Sequence, residues 1–150
     1  MRALVQRVTE GGVDIPPENY SRSIGKGMVI LLGVKEEDTM EDVEFVADKC
    51  CNLRIFEDEN GKMNISLKDV NGEVLVISQF TLYGNARKGN RPSFDAAARP
   101  EKANELYEKF VERIKQNIGE DKVQTGIFAA MMSVKIINDG PVTILVESKE

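Results

Sequence analysis

Ser78-Gln79-Phe80-Thr81 places two hydroxyls and one carboxamide within four positions, directly after the apolar run Val74-Leu75-Val76-Ile77. Neutral donors in this arrangement can orient a carbonyl and stabilise the charge that builds on its oxygen during acyl transfer. The plainer alternative is a strand that turns polar as it leaves a core. A Thr81 nucleophile needs an adjacent base, and the 150-residue chain contains no histidine to act as one. The same absence excludes Ser-His-Asp and Cys-His systems and histidine-ligated zinc.

Two further segments carry possible chemistry. Asn138-Asp139-Gly140-Pro141 is a turn sequence, or else a rigid wall that presents backbone carbonyls to a ligand; a proline bond is cis at modest cost. Residues 84–99 hold Arg87, Lys88, Arg91 and Arg99 against Asp95 alone, a local charge of +3 (four minus one) on a chain whose net charge is −5. This loop is either a solvated charge run or a contact for phosphates.

No metal or cofactor motif accompanies these residues. Cys50 and Cys51 are adjacent, which matches neither a zinc site nor a disulfide framework, and a reducing compartment is expected. Asp58-Glu59-Asn60-Gly61-Lys62 lacks the ligand pattern of a calcium loop. No glycine fingerprint for phosphate follows the first strands. The N-terminus lacks the apolar core of a signal peptide, and no run approaches the ~20 apolar residues that span a bilayer. The expected location is cytoplasmic.

The elements that must position these groups follow from periodicity. Residues 2–8 read as a strand, with Gly11-Gly12 and Pro16-Pro17 punctuating the loop after it. Met28–Val34 is a continuous apolar run, expected to be a strand buried on both faces. From Thr39, an N-cap with Asp42 completing a capping box, Val43, Val46, Ala47 and Cys50 recur at helical spacing. Glu41, Asp42, Glu44 and Asp48 should form a solvated face, and at most one of the two cysteines should face the core. A short strand is expected at 65–67 and a strongly apolar one from Val74 to Tyr83. Pro100 opens a second helix with Ala103, Leu106, Tyr107, Phe110 and Ile114 on one stripe, closed by Gly119. Met132–Ile137 and Val142–Glu147 read as two strands of a hairpin. The order implies an α/β fold: one domain over 1–150, with a compact mixed sheet or barrel-like β layer and two helices packed against it.

Taken together, these residues resemble the D-aminoacyl-tRNA deacylase family. The likeness runs through Gln6-Arg7-Val8, Gly27–Gly33, Asn52–Phe56, Gly61–Asn64, Ser78–Tyr83, Lys88–Phe94, Gly126–Phe128 and Asn138–Thr143. Two motifs in this order, Ser-Gln-Phe-Thr and Asn-Asp-Gly-Pro-Val-Thr, make it specific. The resemblance implies a homodimer with sites at the subunit interface, no cofactor, and hydrolysis of D-aminoacyl-tRNA without metal. It extends to the clearing of mischarged glycyl-tRNA.

By the same resemblance Ser78, Gln79 and Thr81 are the catalytic group. Phe80, Phe128 and Met132 line the substrate site, and a cis Gly140-Pro141 pair enters from the partner subunit. Arg7 holds the Gly-Pro loop, while Arg87, Lys88 and Arg91 meet the tRNA. The sequence departs from the family pattern at Phe128-Ala129-Ala130, where Phe-Gly-Ala is usual, and at Ile15–Tyr20. The competing readings are a noncatalytic dimeric RNA-binding module and an acyl hydrolase that uses Thr81 covalently.

Overall fold

The alternation that begins at Arg2 does not stop at the glycine pair. In the computed structural model, which describes residues 1–148, strand β1 runs from Arg2 to Ile15. Gly11 lies inside it because the sheet packs tightly there: a Cβ on Gly11 would stand 2.8 Å from Val29 Cγ2. The expected break after residue 8 is therefore corrected, and the chain turns only at Pro16–Glu18, a 3-10 turn that leads into β2 (Tyr20–Ile24). Asn19 closes that turn in the left-handed region at φ 49°.

β1 organises the sheet. Along one edge its first half pairs antiparallel with β3 (Gly27–Gly33) and its second half with β2. Its other edge carries β8 (Ser133–Glu147). β3 continues in parallel to β6 (Glu73–Ser78), and β6 in parallel to β7 (Val123–Thr125). A separate two-stranded ribbon joins β4 (Phe56–Glu57) and β5 (Met63–Ile65), close to the expected short strand. The result is a mixed, barrel-like sheet with two helices, α1 (Met40–Asn52) and α2 (Pro100–Ile118).

The apolar runs are explained by burial on both faces. Met28, Ile30, Leu32, Val74 and Val76 belong to the core shared with the helices, whereas Val29, Leu75 and Ile77 face a second core with Val8, Val13, Ile15 and Ile24. Alternate residues of one strand thus serve different cores, and no position is left for a polar residue. α2 contributes Ala103, Leu106, Tyr107, Phe110 and Ile114, as its stripe predicts, and Val111 in addition. Phe110 is fully buried, so truncation to Ala would cost about 3–5 kcal/mol.

Three local expectations are corrected. Cys50 and Cys51 are both fully buried, because α1 is covered by the sheet on one side and by α2 on the next. Burial pushes both thiols up, Cys51 to about 11, and neither forms a disulfide. The acidic face of α1 is not uniformly solvated: Asp42 is buried, its carboxylate accepting from the Thr39 N–H at 2.8 Å, and Asp48 bridges to α2 through Arg113. The predicted terminal hairpin is one strand, since residues 133–138 and 143–147 both pair with β1 in a single antiparallel course, with register shifts opposite Gln6–Glu10.

The open end of β1 is tied down by charge. The α-ammonium of Met1 donates to Asp38 Oδ1 at 2.8 Å and to the Ser148 hydroxyl at 3.1 Å. Among the described residues no helix is long and apolar enough to cross a membrane.

Candidate active site

The β3–β6 ladder ends at Leu32 opposite Ser78. The Gln79 N–H makes one more bond, to Leu32 O at 2.8 Å, and the chain then winds into a 3-10 turn, Phe80–Tyr83. The strand expected to reach Tyr83 therefore stops at Ser78, and the turn lifts Phe80 and Thr81 into solvent. The Gln79 carboxamide donates from Nε2 to Thr81 Oγ1 at 3.1 Å. An amide N–H gives a hydrogen bond and takes no proton, so this contact orients the Thr81 hydroxyl without activating it as a nucleophile.

β7 brings a second segment alongside. Val76 pairs with Thr125, so the chain beyond Thr125 passes the Ile77–Ser78 flank. A Cβ on Gly126 would stand 2.4 Å from Met132 Sδ and 3.2 Å from Ile77 Cδ1, so only glycine lets Met132 close against this edge. The Phe128 ring lies 6.2 Å from that of Tyr107. Tyr107 donates its hydroxyl to Val76 O at 2.8 Å, and burial pushes its pKa up, so it serves as a wall and not as an acid or base. Ala129 takes the left-handed conformation at φ 67°, a geometry that glycine would adopt without cost. Tyr107, Thr125, Gly126 and Phe128 also face a groove of about 690 Å³ beside α2.

Gly140-Pro141 is cis and exposed, with Gly140 at φ 129°. Beneath it Arg7, 4% exposed, donates from Nε to the Asp139 carbonyl at 3.0 Å and from Nη1 to the Ile55 carbonyl at 2.7 Å. The carboxylates of Asp139 and Glu57 stand 3.5 and 3.9 Å from the guanidinium. Arg7 thus fastens the loop to the body of the protein. Ile55 stands in the sequence only within the Asn52–Phe56 segment and Glu57 left no signal, because their roles arise from a backbone carbonyl and from proximity.

The structure separates these two groups within one chain. Ser78, Leu32, Ala3 and Val146 form one row across the sheet, and Pro141 lies five positions before Val146 on β8 (146 − 141). At ~4.8 Å per strand and ~3.3 Å per residue, three strands and five residues amount to on the order of 20 Å of sheet.

Arg87, Lys88 and Arg91 all lie on the exposed tip of the 84–99 loop. Paired backbone bonds between Asn85 and Ser93, at 2.7 and 2.9 Å, close the base of the tip. Just beyond, Phe94 meets Phe80 edge-on, with ring centroids 5.2 Å apart at 73°. Phe94 was visible only as part of a motif; an aromatic flanked by Gly, Asn, Arg and Pro in a polar loop is the signal that marks it. Among the described residues no three Asp, Glu, Cys or His side chains are grouped to hold a metal.

The molecule is thus an α/β protein in which one strand end carries neutral hydrogen-bond donors next to an exposed cationic loop. The profile of the D-Tyr-tRNA(Tyr) deacylase family matches residues 4–147. The chain belongs to that family. It is 55% identical to a D-aminoacyl-tRNA deacylase of Thermotoga petrophila over all of this chain and 99% of that protein. It is 56% identical to one of Clostridioides difficile with the same coverage. Among solved structures, one described as c-Myc DNA Unwinding Element Binding Protein superposes with a TM-score of 0.93 at 41% identity over all of both chains. A probable eukaryotic D-amino acid tRNA deacylase shares the fold, with a TM-score of 0.87 at 16% identity over 97% of this chain and 98% of that one.

Proposed function

We propose that the protein is a hydrolase that cleaves the ester between a D-amino acid and the terminal ribose of tRNA. The observation that carries this reading is the cluster of neutral donors Ser78, Gln79 and Thr81 at the end of β6, in a chain of the deacylase family. An aminoacyl ester is already activated, so orientation plus hydrogen bonds to the developing oxyanion can suffice without a nucleophile–base pair. Water adds to the carbonyl carbon, the carbonyl oxygen takes up negative charge against the neutral donors, and the ribose oxygen leaves with a proton. The neighbouring ribose hydroxyl is the nearest group able to relay that proton. Phe80, Phe128 and Met132 exclude bulk water, and Arg87, Lys88 and Arg91 hold the RNA phosphates.

Stereoselectivity calls for a rigid element, since D and L substrates present the same groups to the site. Gly140-Pro141, fastened by Arg7, is such an element, and its separation from Ser78 within one chain supports a role at the site of a second copy. Homodimerisation is supported by β8, whose outer edge has no partner strand among the described residues and which exposes Ile137 and Leu145. A wall that rejects an L side chain does not reject glycine, which has none, so glycyl-tRNA is also a substrate. The activity belongs in the cytoplasm, where charged tRNA is used.

The test is release of amino acids from matched D- and L-aminoacyl-tRNA in the presence of a chelator. Selective release of the D-isomer is expected; equal cleavage removes the chiral claim, and zinc-dependent rescue removes the metal-free one. A second reading, a noncatalytic nucleic-acid-binding module, draws on the exposed cationic loop and the name of the 41% identical structure. RNA binding without turnover would decide in its favour.

A further inference from the structure

We propose, building on the assignment of Ser78–Thr81 as the acyl-transfer site, that Phe94 is a positioning residue that braces Phe80 and links the cationic loop to the Gln79–Thr81 turn. The ring spans the turn from one end to the other. It meets Phe80 edge-on at 5.2 Å, and a Cβ on Gly84 would stand 3.0 Å from Phe94 Cε1 and 3.0 Å from Thr81 O. The absence of a side chain at position 84 is what lets the ring settle there.

The far end of the turn is anchored, with Tyr83 buried and Arg2 donating from Nη1 to Leu82 O at 3.0 Å, whereas its start at Phe80 and Thr81 is exposed. Its own backbone bonds are Leu82 N–H to Gln79 O at 3.3 Å and Gly84 N–H to Thr81 O at 2.9 Å. Phe80 is 55% exposed and Phe94 38%, so their contact buries little area and adds little to global stability. What the pair does supply is direction, because edge-to-face rings prefer a defined mutual geometry.

On its other side Phe94 adjoins the Asn85–Ser93 rung, beyond which the tip carries Arg87, Lys88 and Arg91. The chain after Phe94 is anchored: Ala97 N–H donates to Phe94 O at 3.1 Å, and Ala98 N–H to Val34 O at 2.9 Å. Phe94 therefore stands between a fixed base and a tip that meets RNA, so a pull on the tip is felt first at the rung and then at the ring that aims Phe80.

The experiment measures kcat, KM and Tm of Phe94→Ala, Phe94→Tyr and Gly84→Ala on D-tyrosyl-tRNA and on D-tyrosyl-adenosine, which lacks the rest of the RNA. Phe94→Ala is expected to lower kcat about tenfold on both substrates, with Tm nearly unchanged. Phe94→Tyr, which keeps the ring, should recover most of the loss. Gly84→Ala keeps the ring but displaces it and should give an intermediate loss; it decides the matter if Phe94→Ala does not fold. A change confined to Tm or to KM, or no recovery by Tyr, would overturn the proposal while leaving the deacylase reading intact. A wild-type protein inactive on both substrates would remove that reading and this proposal with it.

Discussion

Arg7 Nε lies 3.0 Å from the backbone oxygen of Asp139, the residue that precedes Gly140, and the same guanidinium reaches Ile55 O at 2.7 Å. A single buried cation thus ties the exposed loop, through its Asp139 carbonyl, to the Ile55 carbonyl. Arg7→Met would leave both acceptors and the nearby carboxylates without their donor, at about 3 kcal/mol of stability. Arg7→Lys should recover less than half, because an ammonium cannot reproduce the planar fork. Urea denaturation of the two variants checks this, and equal stability of Met and Lys forms would show that only side-chain volume matters.

Thr81 receives a hydrogen bond from Gln79 and is exposed, which suits a group that orients and not one that attacks. Thr81→Ala should keep turnover within about tenfold of wild type, whereas a substrate ending in 2′-deoxyadenosine should lose about a hundredfold or more. An acyl adduct on Thr81 detected by mass spectrometry would contradict this assignment.

Ala129 sits at φ 67°, where its Cβ crowds the following carbonyl. Ala129→Gly should stabilise the protein by about 0.5–1 kcal/mol, part of the relief being offset by the freer unfolded chain. A rise in Tm of about 2 °C is the expected reading. An unchanged or lower Tm would mean that the neighbouring packing absorbs the strain.

Asp48 accepts two bonds from Arg113, both 2.8 Å, and one from Asn117 at 2.9 Å, and the Arg113 hydrogen bond is the main reason its pKa falls to about 2. The folded pKa lies below the unfolded value, so the stabilisation is complete above pH ~4 and is lost as the pH falls from there toward 2. Asp48 is 38% exposed, so solvent screening limits the cost of Asp48→Asn to about 1 kcal/mol at pH 7. Denaturation of wild type and variant at pH 7, 4 and 2.5 should show the gap narrowing over the lower interval; a gap as large at pH 2.5 as at pH 7 would rule out this linkage.

The sequence by itself determined what is local. Thr39 with Asp42 marks the start of α1, and Pro100 and Gly119 mark the two ends of α2, through hydrogen bonds and dihedrals within a few residues. The continuous runs at 28–34 and 74–77 carry the signature of strands buried on two faces, and the donor cluster at Ser78–Thr81 needs only its own spacing to be noticed. What only the tertiary structure decided depends on partners far along the chain. Asn138-Asp139-Gly140-Pro141 has the local chemistry of a turn, yet β1 pairs with residues on both sides of it and keeps β8 a single strand. Cys51 is buried by α2, a helix whose approach no local pattern announces. The distance from Ser78 to Pro141 is set by the order β6–β3–β1–β8, and strand order is a property of non-local pairing, which the periodicity of any one segment cannot encode.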